Sequence, residues 1–276
     1  MQCHFVKMQG LGNDFVLLDL RARDLPLEPA RLARLANRRY GVGCDQILVL
    51  ESPELPDAAV RYRVFNADGS AAEHCGNGVR CVARYLQLRG EVSGGALKVQ
   101  IGNRSYALDL LAEGQVRVEM GVPVFTPAHI PLAVTHEAPR YELSFEGHTF
   151  AFGAVSMGNP HAVFLVEDIE TAPVASLGAC LQAHPLFPAR VNAGFLQIRD
   201  AAQAMLRVFE RGAGETPACG TGACAAVAVG RLWGLLGADV LVTLRGGQLR
   251  IQWEGPGATL YMTGPAVEVF EGNIEL

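Results

Sequence analysis

Alternating apolar and polar residues mark several short strands along the chain. Residues 60–65 alternate apolar and basic side chains, the period-2 pattern of a half-buried strand. Five further segments share this pattern: 116–120, 205–209, 240–244, 249–253 and 260–262. We therefore expect a protein built mainly from short strands.

Helical patterns are fewer. Residues 30–37 and 174–184 are predicted as helices, as are 79–87, which stop near Gly90, and 223–233. A glycine just past the last turn is a common helix end. The segment 223–233 is apolar nearly all round, which predicts a helix buried on every side.

The chain repeats itself once. Cys75-Gly76-Asn77-Gly78 and Cys219-Gly220-Thr221-Gly222 lie 144 residues apart. Upstream, Arg-Val-Phe precedes Asn66 and Glu210, again 144 apart, while Asn13 and Asn159, like Gln46 and Asn192, lie 146 apart. Four landmarks in one order at nearly one offset indicate two homologous halves.

The repeat and the strand-rich pattern predict an α/β (α+β) fold of two homologous domains related by a pseudo-twofold. Each would be a mixed sheet curled around a central helix. Glycine and prolines between 121 and 131 suggest the boundary. We expect one half at 1–118, carrying Cys75, and the other at 119–264, carrying Cys219.

Composition narrows the class of protein. The 276 residues are 50% hydrophobic and 18% charged, with a net charge of −5, so no basic surface for nucleic acid is expected. No apolar run approaches the roughly 20 residues that span a bilayer. Seven cysteines, an odd number without a Cys-x-x-Cys pair, predict free thiols in a reducing cytoplasm and no metal site.

Cys75 and Cys219 each precede a glycine-containing turn into a helix. A helix N-terminus carries unpaired N–H groups and partial positive charge, which lower a thiol pKa from about 8.5 toward roughly 3.5–7.5 and can hold a carboxylate. Two such thiols facing one cleft could remove a proton from one face of a stereocentre and return one to the other. An imine with pyridoxal phosphate would need a lysine; the chain has only Lys7 and Lys98, neither in a recognisable setting, so no cofactor is predicted.

With these residues in view, the chain resembles the diaminopimelate epimerases nearly end to end. The similarity rests on the motifs at 10–15, 65–70, 75–81, 156–161, 191–195, 210–216 and 219–222. The resemblance implies cofactor-independent epimerisation of LL- to meso-diaminopimelate, for lysine and cell-wall precursors, by a cytoplasmic homodimer. It also implies that the C-terminal strand 265–276 returns to the half at 1–118.

The resemblance also implies residue roles. Cys75 and Cys219 would be the acid/base thiols, with His161 and Glu210 tuning their ionisation. The residues implied in substrate binding are Asn13, Gln46, Asn66, Gly76, Asn77, Asn159, Asn192, Glu210, Arg211, Gly220 and Thr221. Gly76, Asn77, Gly220 and Thr221 would act through backbone N–H groups.

Three positions depart from the expected family pattern. His74 stands before Cys75, where an amide or small residue is more usual, and could shift that thiol's pKa. Thr221 replaces a common serine. Phe270 replaces a common tyrosine at the implied dimer contact, leaving dimerisation expected without that hydroxyl.

Other functions remain open on the residues alone. A proline or hydroxyproline racemase of the same architecture is the nearest alternative, although Arg211 and the asparagines suit a longer polar substrate. Phenazine-pathway isomerases share the fold but lack the two thiols. A thiol redox module or a binding protein for diamino acids would use the same residues without proton exchange at carbon.

Overall fold

The computed structural model describes residues 2–23, 25–72 and 76–275. The chain forms two compact units. The first unit comprises residues 1–118 and 264–276, and the second unit comprises residues 119–263. In the described residues, no helix is long and apolar enough to cross a membrane.

The first unit is one mixed sheet. Its strands are β1 (Gln2–Gly10), β2 (Asn13–Asp19), β3 (Gln46–Glu51), β4 (Val60–Asn66), β5 (Gly95–Ile101), β6 (Arg104–Leu110), β7 (Gln115–Glu119) and β17 (Val267–Glu275). From β1 to β7 the neighbours pair antiparallel, parallel, antiparallel, parallel, antiparallel and antiparallel. Strand β17 pairs antiparallel with β1.

The second unit is also a mixed sheet. Its strands are β8 (Tyr141–Phe145), β9 (His148–Ser156), β10 (Pro160–Leu165), β11 (Asn192–Asp200), β12 (Gln203–Glu210), β13 (Gly214–Thr216), β14 (Asp239–Leu244), β15 (Gly247–Gln252) and β16 (Tyr261–Pro265). The succession β9-β10-β11-β12-β14-β15-β16 has the same six pairing directions as the first sheet. Strand β8 flanks β9 as β17 flanks β1. This shared topology confirms the predicted internal repeat and the mixed-sheet fold class.

In the described part of the chain, two α-helices accompany each sheet. They are α1 (Pro29–Ala36), α2 (Gly76–Leu88), α3 (Val174–Leu181) and α4 (Gly220–Leu232). The prediction that the third helix reaches residue 184 is wrong, because α3 ends at Leu181. The backbone N–H groups of residues 182–184 bond to carbonyls three residues back, as in turns, and Pro185 disfavours helical geometry at the residue before it. Helices α2 and α4 begin three residues earlier than predicted, directly after Cys75 and Cys219.

Helices α2 and α4 are the central helices of their units. In α4 the glycines, alanines and valines from Gly222 to Gly230 are buried, as predicted from the all-round apolar pattern. Gly153 allows α4 to approach β9 closely, since a Cβ there would lie 2.4 Å from Val229. Helix α2 is equally central but buries Arg80 completely and Asn77 almost completely. Its end is the predicted glycine cap, with Gly90 at φ +73°.

All six predicted strands are present, as β4, β7, β12, β14, β15 and β16. Strands without alternation were not predicted. In β3, Ile47–Leu50 are all buried, and β10 is buried over five consecutive residues. Each lies in a parallel pair covered on both faces, where strands are apolar throughout and their period disappears.

Candidate active site

The topology collects polar residues at one edge of each sheet. Asn13 opens β2 and Gln46 opens β3, while Asn66 closes β4. Because β2 and β3 are parallel and β4 runs opposite to β3, these three strand ends share one edge; Gln46 is directly opposite Asn66. In the second unit the same edge holds His161 and Asn192, which are register partners, and Glu210, which closes β12.

The residues of the first edge contact one another. The Gln46 side-chain amide donates to Asn66 Oδ1 at 3.3 Å, and Asn66 donates to the Ser70 hydroxyl at 3.1 Å. Asn77, in the first turn of α2, donates to Asn13 Oδ1 at 3.2 Å. The four predicted amide residues of this unit therefore form two hydrogen-bonded pairs, one of which includes Asn77 in the first turn of α2.

Cys75 and His74 lie outside the described residues, as does Glu73. The first described residue of this turn is Gly76, which begins α2 and is buried. Chain connectivity places Cys75 immediately before the helix. Its role as one of the two thiols therefore stays a prediction.

Cys219 is the N-cap residue of α4 and is buried. Its thiol lies 3.6 Å from the Thr221 hydroxyl, and the Glu210 carboxylate is near enough to raise the pKa of the thiol. Gly222 permits this packing: a Cβ at that position would lie 3.3 Å from Cys219 Sγ. The second Cys-Gly-x-Gly turn thus places a thiol at a helix start and near a carboxylate.

The prediction of a lowered pKa is wrong for Cys219. Burial, and after it the negative charge and hydrogen bond of Glu210, raise the pKa of this thiol well above its ordinary value. Hydrogen bonds from Thr221 and from the Gly222 backbone lower it, as the helix-start argument expected, but they are outweighed. Cys219 is therefore a protonated thiol at neutral pH.

His161 is completely buried, and its Nε2 is 3.0 Å from Asn159 Oδ1. Burial, followed by the positive charge of Arg211, lowers the pKa of His161 to about 3. The imidazole is then neutral at pH 7, and with Asn159 Oδ1 as acceptor its proton lies on Nε2. Within the described residues its Nδ1 has no hydrogen-bond partner, so the lone pair on this nitrogen can accept a hydrogen bond.

Asn159 and Asn192 tie this edge together. Asn159 Nδ2 is 3.4 Å from the Thr221 hydroxyl in the first turn of α4. Asn192 donates to the Pro160 carbonyl at 3.0 Å and accepts from the Arg211 backbone N–H at 2.9 Å. The Asn192 side chain thereby fixes the backbone that carries Arg211.

Thr216 was not predicted as a site residue, although it lies within the motif at 210–216. Its hydroxyl donates to Glu210 Oε1 at 2.5 Å, across the short β12–β13 hairpin that brings it opposite Val208. The hydroxyl helps to hold the carboxylate that faces Cys219. The sequence signal for Thr216 was weak, because a three-residue strand is too short to show an alternating pattern of apolar and polar residues.

Outside residues 1, 24, 73–75 and 276, no group of three His, Cys, Asp or Glu side chains could hold a metal ion.

The sequence was compared with those of known proteins, and several relatives match it over its full length. A protein from Azoarcus sp. (strain BH72) named diaminopimelate epimerase is 52% identical over 276 residues, covering 100% of both chains. A second with the same name, from Teredinibacter turnerae, is 50% identical with equal coverage.

Solved structures share the fold at low identity. A hydroxyproline epimerase from Agrobacterium vitis, with bound trans-4-hydroxy-L-proline, has a TM-score of 0.69 at 14% identity over 99% of this chain and 92% of its own. A phenazine biosynthesis protein of the PhzF family from Bacillus anthracis has a TM-score of 0.70 at 14% identity, with 100% of both chains covered. At this identity they are evidence of fold alone.

The family model described as diaminopimelate epimerase matches residues 5–126 and 153–269, one segment in each half of the repeat. With that match and the 52% identity over the full length, the chain belongs to the diaminopimelate epimerase family.

Proposed function

We propose that this protein interconverts LL- and meso-diaminopimelate by a two-thiol proton transfer that needs no cofactor. One observation carries the proposal: the buried Cys219 thiol lies at the start of α4 beside Glu210. A buried thiol next to a carboxylate is suited to hold a proton and to release it toward a substrate carbon. The family relatives carry the name of this reaction.

Cys219 acts as the acid in the first half of the exchange. Its raised pKa keeps the proton on sulfur at neutral pH, so it delivers a proton to the α-carbon. Cys75, which precedes α2 at the matching repeat position, acts as the base. The two exchange roles when the reaction runs in the other direction.

Removal of the α-proton leaves a carbanion, and we assign its stabilisation to the N-termini of α2 and α4. The backbone N–H groups of Gly220 and Thr221 belong to the first turn of α4, where such groups have no partner within the helix. They and the corresponding groups of Gly76 and Asn77 hold the α-carboxylate as negative charge develops beside it. Preorganised donors of this kind usually contribute more to the rate of such reactions than any other effect.

The distal end of the substrate is a second amino-acid head group, with a carboxylate and an ammonium. Arg211 offers a planar guanidinium for the carboxylate, and asparagine amides offer donors and acceptors together. Asn13, Gln46, Asn66, Asn159 and Asn192 are the residues proposed for this binding. A cyclic imino acid has no second amino-acid head group for Arg211 and these amides to bind, which argues against the racemase alternative.

The two lysines support chemistry without a pyridoxal imine. Lys7 is buried and bound to Asp14 at 2.6 Å and to the Gly43 carbonyl. Lys98 lies at the surface and is paired with Asp57 at 2.9 Å. Both amines already serve as ion-pair partners, so neither is offered for imine formation.

Homodimerisation and a cytoplasmic location belong to the same proposal. Strand β17 exposes three apolar residues, Val267, Val269 and Phe270. Phe270 is 48% exposed, and its ring makes an edge-to-face contact with the ring of Phe5. An apolar flank of this kind is typical of a contact between subunits. The six cysteines in the described segments are free thiols, as suits a reducing compartment.

The test is turnover of LL-diaminopimelate in heavy water without pyridoxal phosphate. We expect meso-diaminopimelate with deuterium at one α-carbon. Cys219→Ser should lose at least about 100-fold in rate, since general acid–base groups contribute this much. Cys180→Ser, a half-exposed thiol on α3, is the matched control and should keep full rate. Faster turnover of trans-4-hydroxy-L-proline, or an active Cys219→Ser variant, would refute the proposal.

A further inference from the structure

A chain of four side chains in the first unit connects α2 to the openings of β2 and β3. Arg80 Nη2 donates to Asn77 Oδ1 at 3.0 Å, and Asn77 Nδ2 donates to Asn13 Oδ1 at 3.2 Å. Asn13 Nδ2 in turn donates to Asp45 Oδ2 at 3.0 Å. All three hydrogen bonds run in the same direction, from the guanidinium to the carboxylate.

The two ends set that direction. A guanidinium only donates hydrogen bonds, and an ionised carboxylate only accepts them, whereas an amide can present either its oxygen or its NH₂ group. Turning the Asn77 amide over would face a donor with a donor at Arg80. Turning Asn13 over would face an acceptor with an acceptor at Asp45. Each amide is therefore held in one of its two orientations.

The cationic end is anchored inside the unit. Arg80 is completely buried, and its other nitrogens donate to the Gly76 carbonyl at 3.4 Å and the Pro265 carbonyl at 3.3 Å. Gly10 leaves room for the guanidinium, since a Cβ there would lie 3.2 Å from Arg80 Nη2. Arg80 thus ties α2 to the C-terminal return of the chain.

The anionic end is anchored by ion pairs. Asp45 accepts from the Asp14 backbone N–H at 3.1 Å and from Arg38 at 2.7 Å. Arg38 also binds the Asp14 carboxylate, which Lys7 contacts at 2.6 Å. Burial alone would raise the pKa of Asp14, but hydrogen bonds from Arg38 and Lys7 hold it well below its usual value. The Asp14 carboxylate therefore stays ionised at neutral pH and holds Arg38, which in turn binds Asp45.

We propose that Arg80 and Asp45 are positioning residues that orient the Asn13 amide toward the substrate, with Asn77 as the link. The inference rests on the proposed function, because it assigns Asn13 to substrate binding. With its oxygen directed to Asn77 and its nitrogen to Asp45, the Asn13 amide is fixed in one orientation, so the substrate meets its donor and acceptor sides in a set arrangement. Position 224, which matches Arg80 in the repeat, is a cysteine, so α4 has no guanidinium at that place.

Asp45 provides the cleaner test because its side chain is 44% exposed and its replacement should leave the fold intact. Asp45→Ala should raise KM for LL-diaminopimelate about tenfold, the effect of one misdirected hydrogen bond in a site, with the melting temperature nearly unchanged. Asp45→Asn keeps an oxygen that accepts from Asn13 and should stay close to the unaltered KM. Asp57→Ala is the control, since Asp57 is 49% exposed and also loses an ion pair, with Lys98.

Arg80→Lys tests the other end, because an ammonium keeps the charge but lacks the planar fork. Its KM should also rise about tenfold; should this variant not fold, the three aspartate variants decide alone. An Asp45→Ala variant with unchanged KM, an Asp45→Asn variant as impaired as Asp45→Ala, or a folded Arg80→Lys variant with unchanged KM would overturn the inference. Inactivity of the unaltered protein would instead overturn the proposed function.

Discussion

The Glu210 carboxylate lies near the Cys219 thiol in the second unit and raises its pKa, and each residue stands at the end of its element. Cys219 caps the start of α4, and Glu210 closes β12. The repeat position that matches Glu210 in the first unit is Asn66, which has no charge. At this position of the repeat only the second half has an acidic side chain, and the charge of Glu210 adds to burial in raising the pKa of Cys219.

Replacing Glu210 with glutamine should lower the pKa of Cys219, because the negative charge and the acceptor that raise it are removed. Alkylation of Cys219 by iodoacetamide at pH 8, followed by peptide mass mapping, should become faster. Turnover should fall about 100-fold, since the thiol loses its proton-holding partner. Glu254→Gln, at an exposed carboxylate of the same unit, is the control. Slower alkylation in Glu210→Gln would contradict the assigned sign.

Gly222→Ala should displace the thiol. The added Cβ would lie 2.9 Å from Val208 and 3.3 Å from Cys219 Sγ. Overpacking of this kind typically costs about 1–3 kcal/mol, and we expect at least a tenfold loss of kcat (about 1.4 kcal/mol). Combining Gly222→Ala with Val208→Ala removes the clash with Val208 but leaves the clash with the Cys219 thiol. The melting temperature should therefore recover in part, while kcat should not. Val208→Ala alone serves as the control for kcat; recovery of kcat in the double variant would argue against thiol displacement.

His161 should make the protein less stable in acid. Its pKa is about 3 when folded, whereas an unfolded histidine protonates near pH 6.5. Between these values the unfolded chain binds more protons, so the free energy of unfolding falls as pH is lowered through this window, by up to about 1.4 kcal/mol per pH unit. Above about pH 6.5 the contribution is complete.

Urea unfolding at pH 7.5 and pH 5 measures this slope, and His161→Asn should reduce it. His148→Asn, at an exposed histidine of the same unit, should keep the slope of the unaltered protein. Equal slopes for His161→Asn and the unaltered protein would show that His161 does not resist protonation.

Phe270→Asp should weaken the proposed homodimer. The residue is 48% exposed on β17, and a carboxylate there would be buried without a partner in a subunit contact. Sedimentation velocity at micromolar protein should show a shift from dimer to monomer. Leu111→Asp, also exposed and in the same unit, should leave the dimer intact. A dimer that persists in Phe270→Asp would place the contact elsewhere.

Much of the fold was predictable from local patterns. The six alternating segments became strands, and the all-apolar segment after Cys219 became a buried helix, because period and composition reflect one-sided or complete burial. Strands β3 and β10 escaped prediction because burial on both faces removes the period. The repeat, visible as spaced motifs, predicted the common topology of the two units.

The residue sequence by itself determined the duplication, the strand-rich class and the identities of the polar candidates, since these depend on composition and spacing along the chain. Only the tertiary structure decided their chemistry. The pKa of Cys219 depends on how deeply the thiol is buried and on which carboxylate lies near it. The orientation of Asn13 depends on Asp45, which it contacts directly, and on Arg80, which acts on it through Asn77. Desolvation and the direction of a hydrogen bond are set by neighbours in space, and no local pattern records them.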